Sequence, residues 1–257
     1  MARKATPTDW QAKRFEANQL FTPSTPINVA DLFAGRQDQL SRIVDAVGER
    51  GRHVILYGER GVGKTSLSQI TPYLIPTEVS RIPFCRVQCF PDDSFSSIAK
   101  KIFKEIRFRA DIGDGVSMYD VSQLYPSDVT PDDFIRELSI YNDNNIPIVV
   151  IDEFNELRDP KSSILVANTI KALSDSATNV TLVVVGVANS VNELIASHES
   201  IERCTEEILM PRMGTSELKE VIEKRLAQLG MTIDGDSKWK IINLSKGLPQ
   251  YVHGLVH

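Results

Sequence analysis

Cysteine and histidine are scarce in this chain, basic excess is missing, and no stretch is both long and apolar. The three cysteines, Cys85, Cys89 and Cys204, cannot all pair with one another and match no metal spacing. Cys85 and Cys89 would make half a metal site, but no Cys or His nearby supplies the other half. They read as free structural thiols of a reducing cytoplasm. The four histidines, His53, His198, His253 and His257, are scattered, and none stands beside a nucleophile. No nuclease, protease, TIR-like or deaminase constellation is present. No apolar run approaches the ~20 residues that cross a bilayer, so no membrane attachment is expected. The opening "MARKATPTDWQAKRFEANQL" has early basic residues but no apolar h-region, which argues against a secretory signal. With 29 Lys and Arg against 34 Asp and Glu, the net charge is −5. That excludes a globally basic nucleic-acid binder and leaves only a local patch open.

What remains is the composition of a globular protein, 257 residues with 42% apolar and 25% charged, and no low-complexity tract. This length buries one substantial core, or one core plus a small subdomain. Residues 1–30 are polar and Pro-punctuated and read as an arm. Leu40, Ile43, Val44 and Val47 fall at helical spacing. "HVILY" (53–57), "PFCRVQCF" (83–90), "PIVVID" (147–152), "VTLVVVGVANS" (180–190) and "EEILM" (206–210) are apolar runs that predict strands. Lys64 to about Ile75 predicts a helix interrupted at Pro72. Phe95, Ile98, Ile102 and Ile106 mark another helix, and 110–129 reads as a long loop. Thr130, followed by Pro131, Asp132 and Asp133, is a helix start with its cap. From Thr215 the pattern is helical, with Leu218, Val221, Ile222, Leu226 and Leu229 on one face and Gly230 as the stop. Strands alternating with helices predict an α/β fold, a parallel sheet covered on both faces. The expected division is an arm at 1–30, a nucleotide-binding α/β subdomain at 31–213, and a small helical lid at 214–257 that looks incomplete at its end.

The most informative stretch is "LYGERGVGKTSLSQI". Gly58, Gly63, Lys64 and Thr65 satisfy G-x-x-x-x-G-K-[ST], with Glu59, Arg60, Gly61 and Val62 inside the loop and Ser66 just after it. A buried strand enters and a helix leaves, which is the context a phosphate loop needs. Glycines at 58, 61 and 63 permit positive φ, so successive N–H groups turn inward around phosphate oxygens. The helix N-terminus adds partial positive charge. Lys64 is expected to reach the β- and γ-phosphates and the Thr65 hydroxyl to ligate Mg²⁺. Asp152 ends an apolar strand, where a parallel sheet presents residues to its ligand crevice. It is expected to hold the Mg²⁺ shell, with Glu153 activating water. An acid at both positions favours a hydrolase over a small-molecule kinase.

"LFAGRQDQL", "GERGVGKTS", "VVIDEF", "VVVGVANSV" and the run from "SIERC" to "RL" together resemble the AAA+ ATPases, in the branch of origin-recognition initiators and STAND switch ATPases. The resemblance covers about residues 31–257. It implies ATP and Mg²⁺ as cofactors, with Gly35 and Arg36 on the adenine side. It makes Asn189 the sensor that touches the γ-phosphate and attacking water, the alternative being a turn-forming Asn before a helix. It makes Arg203 an arginine finger acting on a neighbouring subunit, the alternative being a surface arginine paired with Glu199, Glu206 or Glu207. Arg212 is a second, weaker finger candidate. The sequence departs from the family at "GLPQYV", where Pro249 and Gln250 stand in place of a lid arginine, and at Asn155, where a second acid is frequent.

Three functions follow as expectations: an ATP-driven, homo-oligomerising switch with a separate effector or partner protein, an initiator-type ATPase acting on nucleic acid, and a non-hydrolysing nucleotide holder. STAND-type relatives act in signalling and antiviral (phage) defence, which the resemblance extends to this chain. Lys64, Asp152 and Glu153 argue against the third function. For the second, "KKIFKEIRFR" (100–109) is the local basic cluster.

Overall fold

The computed structural model describes residues 7–22, 34–75, 83–112, 115–140, 147–195 and 201–256. Within these, chain contacts define two compact units.

The larger unit, Gln39–Gly58 with Thr71–Leu209, is built on a five-stranded sheet. Its strands are β1 (His53–Gly58), β2 (Phe84–Gln88), β5 (Ile148–Asp152), β6 (Thr181–Val187) and β7 (Thr205–Met210), in the order β2-β5-β6-β1-β7. The pairs β2–β5, β5–β6 and β1–β6 are parallel. The central strands read as unbroken apolar runs because both faces are covered, and every residue of β5 is buried. The edge strand β2 alternates instead, with Cys85 and Val87 inward. On one face lie α4 (Phe95–Glu105) and α6 (Pro160–Asp175), whose Ile98, Ile102, Phe103, Val166 and Ile170 share a core with Ile55, Val149 and Ile151. Local chemistry sets the helix starts. Ser94 and Ser97 form a capping box on α4, Thr130 and Asp133 do so on α5 (Pro131–Leu138), and Asp159 caps α6. α2 (Gln37–Gly48) and the four-residue α7 (Val191–Leu194) complete the frame.

Two expectations are corrected here. Residues 110–129 are not a long loop: β3 (Arg107–Ile112) and β4 (Gly115–Asp120) form an antiparallel hairpin, followed by a 3₁₀ turn at Val121–Leu124. The signal was the alternation of Phe108, Ala110 and Ile112 before a Gly-Asp-Gly turn sequence. The basic stretch 100–109 is therefore cut between a helix and a strand, and the side chains at 107–109 lie outside those described. Pro72 does not interrupt α3 (Lys64–Leu74), because near a helix end its missing N–H costs a single ladder bond.

The second unit is Met1–Asp38, Glu59–Ile70 and Met210–His257. It contains α1 (Pro7–Leu20), α8 (Thr215–Gln228), α9 (Gly235–Ser245) and α10 (Pro249–Leu255). The arm at 1–30 is thus corrected in its described part, residues 7–22; residues 1–6 and 23–30 lie outside it. Phe21 is 1% exposed in a core with Leu218, Ile222, Leu226 and Val252. The Thr22 N–H donates to His253 Nδ1 at 3.0 Å, and the His253 ring meets Phe21 edge-on. Arg225 is buried, giving its Nε to the Leu20 carbonyl at 3.1 Å and Nη1 to Val221. A helix without an apolar stripe, anchored by one phenylalanine past its end, looks polar in sequence. The expected boundary at 213/214 also differs from the contacts, since residues 59–70 cluster with the C-terminal helices.

Candidate functional site

At the end of β1 the chain turns through Gly58, Gly61 and Gly63, with φ of 146°, 82° and 97°, and enters α3 at Lys64. These are the backbone angles expected of a loop whose N–H groups face inward. Lys64 is 7% exposed, and its ammonium donates to the Glu59 carbonyl at 2.8 Å. Val62 is fully buried. Thr65 and Ser66 sit half-buried in the first turn of α3, and the Thr65 carbonyl accepts the Ser68 hydroxyl at 3.0 Å. Arg60 is exposed. The start of α10 packs on this loop: a Cβ at Gly61 would lie 2.7 Å from Gln250 Oε1, and one at Gly63 would touch Pro249.

Gly35 and Arg36 are both left-handed, with φ of 69° and 65°. Their N–H groups donate to carboxylates of α8, Gly35 to Glu220 at 3.2 Å and Arg36 to Glu217 at 3.1 Å. The Arg36 guanidinium is 3% exposed at residue level and donates to the carbonyls of Val62 and Pro211. Burial pushes its pKa down, opposed by Glu217. The Arg36 side chain is thus a strut that ties the phosphate loop to the segment entering α8.

At the same sheet edge as Gly58, β5 ends in Asp152, 1% exposed. Its Oδ1 accepts the Glu153 N–H at 2.8 Å, and its Oδ2 accepts Arg86 Nη2 at 2.6 Å and Nε at 3.1 Å. Glu153 is left-handed, φ 54° and ψ 38°, a strained state for a glutamate and one that clusters at functional positions. It is held there by its neighbours. Phe154 is buried in the core, the Glu153 carbonyl accepts the Glu156 N–H at 2.9 Å, and Asn155 Oδ1 accepts the Val187 N–H at 2.7 Å. Asn155 therefore pins the acidic turn to the end of β6. Gly186 permits this close approach, since a Cβ there would lie 3.1 Å from Asn155 Oδ1 and would also clash with Leu194 at 2.3 Å. Sequence reasoning missed Arg86 altogether; a lone basic residue on a predicted strand was the available signal.

Asn189 follows β6 at the same edge. Its backbone N–H and its side-chain amide both donate to Glu193 Oε2, at 2.8 and 3.2 Å. It is both a turn residue before α7 and an oriented carboxamide.

Arg203 lies elsewhere. It precedes β7 and is 68% exposed, ion-paired with Asp175 at the end of α6. Its carbonyl accepts Arg52 Nη1 at 3.1 Å, and Arg52 precedes β1. The expected partners are corrected. Glu206 is held by Arg42 and Arg52, the Glu207 carbonyl accepts Arg42, and Glu199 lies outside the described residues. Arg203 thus stands at the sheet edge where β1 begins, a strand length of roughly 17 Å from the edge of Gly58 and Asp152. Arg212, the second finger candidate, is ion-paired with Glu59 of the phosphate loop at 2.7 Å.

The three cysteines are free and buried, with Cys85 and Cys89 thiols pushed up to about 12 by burial. Among the described residues no cluster of His, Cys, Asp and Glu could hold a metal unaided, and no helix is long and apolar enough to cross a membrane.

Comparison with known proteins agrees with this geometry. The chain is 23% identical over 236 residues to ORC1-type DNA replication protein 2 of Thermoplasma acidophilum, covering 88% of this chain and 54% of that protein. It therefore spans about half the length of that relative. The Aeropyrum pernix ORC1 protein, solved in complex with DNA, has a similar fold, with a TM-score of 0.65, 17% identity, and coverage of 93% of this chain and 62% of that one. The Walker-type ATPase PABY2304 of Pyrococcus abyssi gives a TM-score of 0.67 at 15% identity, covering 91% of this chain and 69% of that one. The pattern of the family described as Novel STAND NTPase 1 matches residues 26–250. The chain belongs to that family and is an AAA+ P-loop NTPase of the STAND type.

Proposed function

We propose that this chain is a Mg²⁺-dependent ATP-hydrolysing module that works as an oligomerising switch. The observation that carries the reading is the placement of Arg203 at the sheet edge opposite Asp152 and Glu153. An arginine so placed lies a strand length from the acids of its own chain, and its 68% exposed side chain, held at the surface by Asp175, is open to a second copy's nucleotide. In the switch, ATP assembles copies so that one chain's Arg203 meets the next chain's nucleotide, and hydrolysis releases them. A separate effector or partner protein, in signalling or antiviral defence, receives the change.

The residues fit the cofactors. A Thr65 hydroxyl and an Asp152 carboxylate are hard oxygen donors suited to Mg²⁺, which takes few protein ligands and keeps phosphates and water as the rest. Bound Mg²⁺ would neutralise phosphate charge. Lys64 and the inward N–H groups of 58–63 bind and orient the phosphates, with Gly35 and Arg36 backbone on the base side. Glu153 accepts a proton from the attacking water, and Asn189 orients that water. The initiator-type alternative gains support from the DNA replication relative. Against it, Lys101 of the basic stretch is already held by Asp93 and the Gln88 carbonyl, and the chain is net acidic.

The test is solution mass with ATP and with ADP, alongside phosphate release, for the wild type and Glu153→Gln. Assembly in ATP that Glu153→Gln makes permanent, with phosphate release lost, is expected. A monomer in both nucleotides with no turnover would overturn the switch.

A further inference from the structure

β2 and β5 run side by side with Arg86 opposite Val150 and Gln88 opposite Asp152. Arg86 and Asp152 therefore lie diagonally on one face of the sheet. The guanidinium spans the diagonal and places two N–H donors on a single oxygen, Oδ2. The Asp152 side chain is 2% exposed and that of Arg86 is 26% exposed. Burying a carboxylate to this degree is costly without a counter-charge, and stripping its partner away is strongly destabilising.

This is also the carboxylate assigned to Mg²⁺, and the two cations meet a shortage of acceptors. A carboxylate offers about four lone-pair sites; Nη2, Nε and the Glu153 N–H use three of them. A guanidinium and a divalent ion on one carboxylate also repel each other across a short, desolvated distance. The arginine has somewhere to go. β2 is the outer strand of its sheet, and its Phe84 and Gln88 are exposed, so Arg86 can leave Asp152 without disturbing the core.

We propose that Arg86 is the resident counter-ion of Asp152 and competes with the divalent cation, holding the carboxylate in the metal-free state and releasing it when Mg²⁺ arrives with nucleotide. The proposal rests on the nucleotide-site reading above. It gives the fold a way to keep an acidic site stable between nucleotides, and it weakens metal binding, so that the metal is retained only together with phosphates. Arg86 is a positioning residue: it acts on Asp152 and not on substrate.

The test uses the full chain with one equivalent of bound ADP, titrated with Mn²⁺ and read by the electron paramagnetic resonance signal of free Mn²⁺. Arg86→Gln should bind Mn²⁺ about tenfold more tightly than wild type, the factor a lost charge-assisted contact represents. Arg86→Lys, which keeps the charge, should stay near wild type. Equal or weaker Mn²⁺ binding in Arg86→Gln with ADP still bound would overturn the competition. Failure of the wild type to bind ADP would instead sink the nucleotide site itself. A second measurement needs no destabilised variant. In wild type with ADP and chelator, the arginine Nε–H resonance that Arg86→Lys removes should exchange slowly with solvent, and adding Mg²⁺ should abolish that protection. Protection unchanged by Mg²⁺ would overturn the proposal on its own.

Discussion

Arg212 holds Glu59 through Nη2 at 2.7 Å and Nε at 3.1 Å, while its Nη1 donates to the Lys246 carbonyl at 3.3 Å. One guanidinium thus joins the first variable residue of the phosphate loop to the turn between α9 and α10. The Glu59 carboxyl is held below its usual range, chiefly by the hydrogen bonds from Arg212. Gly247 in that turn, at φ 84°, leaves room for the arginine, since a Cβ there would lie 2.7 Å from Arg212 Cβ. With Pro249 and Gln250 against Gly63 and Gly61, the turn between α9 and α10 and the loop form one connected cluster.

The first prediction concerns that join. Both partners are exposed, and surface pairs contribute little to stability, so Arg212→Ala should leave the melting temperature almost unmoved. It should speed the release of a fluorescent ADP analogue in stopped-flow, because the lid loses its hold on the loop. An unchanged release rate would count against coupling through Glu59.

Gly61 sets a second test. Its φ of 82° strains any L residue whatever the space, and Gln250 Oε1 sits where a Cβ would go. Gly61→Ala should lose ~1–2 kcal/mol in urea unfolding. The amide end of Gln250 is flexible, so adding Gln250→Ala should not restore stability. Full recovery in the double variant would mean that contact, not backbone, dictates the glycine.

Arg203 sets a third. Arg203→Ala should lower ATP turnover while leaving ATP affinity nearly intact, since the residue stands far from its own chain's acids. Mixed with Glu153→Gln, which keeps its arginine but lacks the base, it should regain activity. No rescue at any mixing ratio would exclude action between copies.

A fourth prediction concerns pH. His53 opens β1, fully buried, with Nδ1 accepting the Leu182 N–H at 3.1 Å and Nε2 without a hydrogen-bond partner. Burial pushes its pKa down to about 4, with the Ile170 carbonyl opposing only in part. The folded state therefore favours the neutral ring. Its contribution is fully present above the unfolded value near 6.5 and is lost as pH falls from there to about 4, a change of up to ~3 kcal/mol. His53→Gln should flatten this part of a urea-midpoint profile against pH. A wild-type profile already flat across this window would show that the ring is not protonated on unfolding.

Much of the sheet was legible because its central strands are short apolar runs between glycines and polar turns, a signal that depends on neighbours in the chain. The phosphate loop was legible for the same reason: its glycines, Lys64 and Thr65 act within eight consecutive residues. Thr130 with Asp133, and Gly230 after Leu229, were readable as local hydrogen-bond and backbone chemistry. The hairpin at 107–120 was missed although Phe108, Ala110 and Ile112 alternate with charged residues, because Gly113, Asp114 and Gly115 made the stretch read as a loop. Helix α1 was missed as part of a core because only Ala17, Leu20 and the following Phe21 turn inward.

The chain alone determined the fold class and the phosphate-loop pattern, because both are written in local order: the period of the apolar runs, and the spacing of turn glycines, Lys64 and Thr65. Tertiary structure decided what those residues are joined to. Arg86 on Asp152, Arg36 on Val62, Arg212 on Glu59 and Arg203 on Asp175 connect positions from 26 to 153 residues apart. A guanidinium has several carboxylates and carbonyls within reach of its type in any sequence. Which one it finds depends on strand register and helix packing, and those exist only once the core has formed.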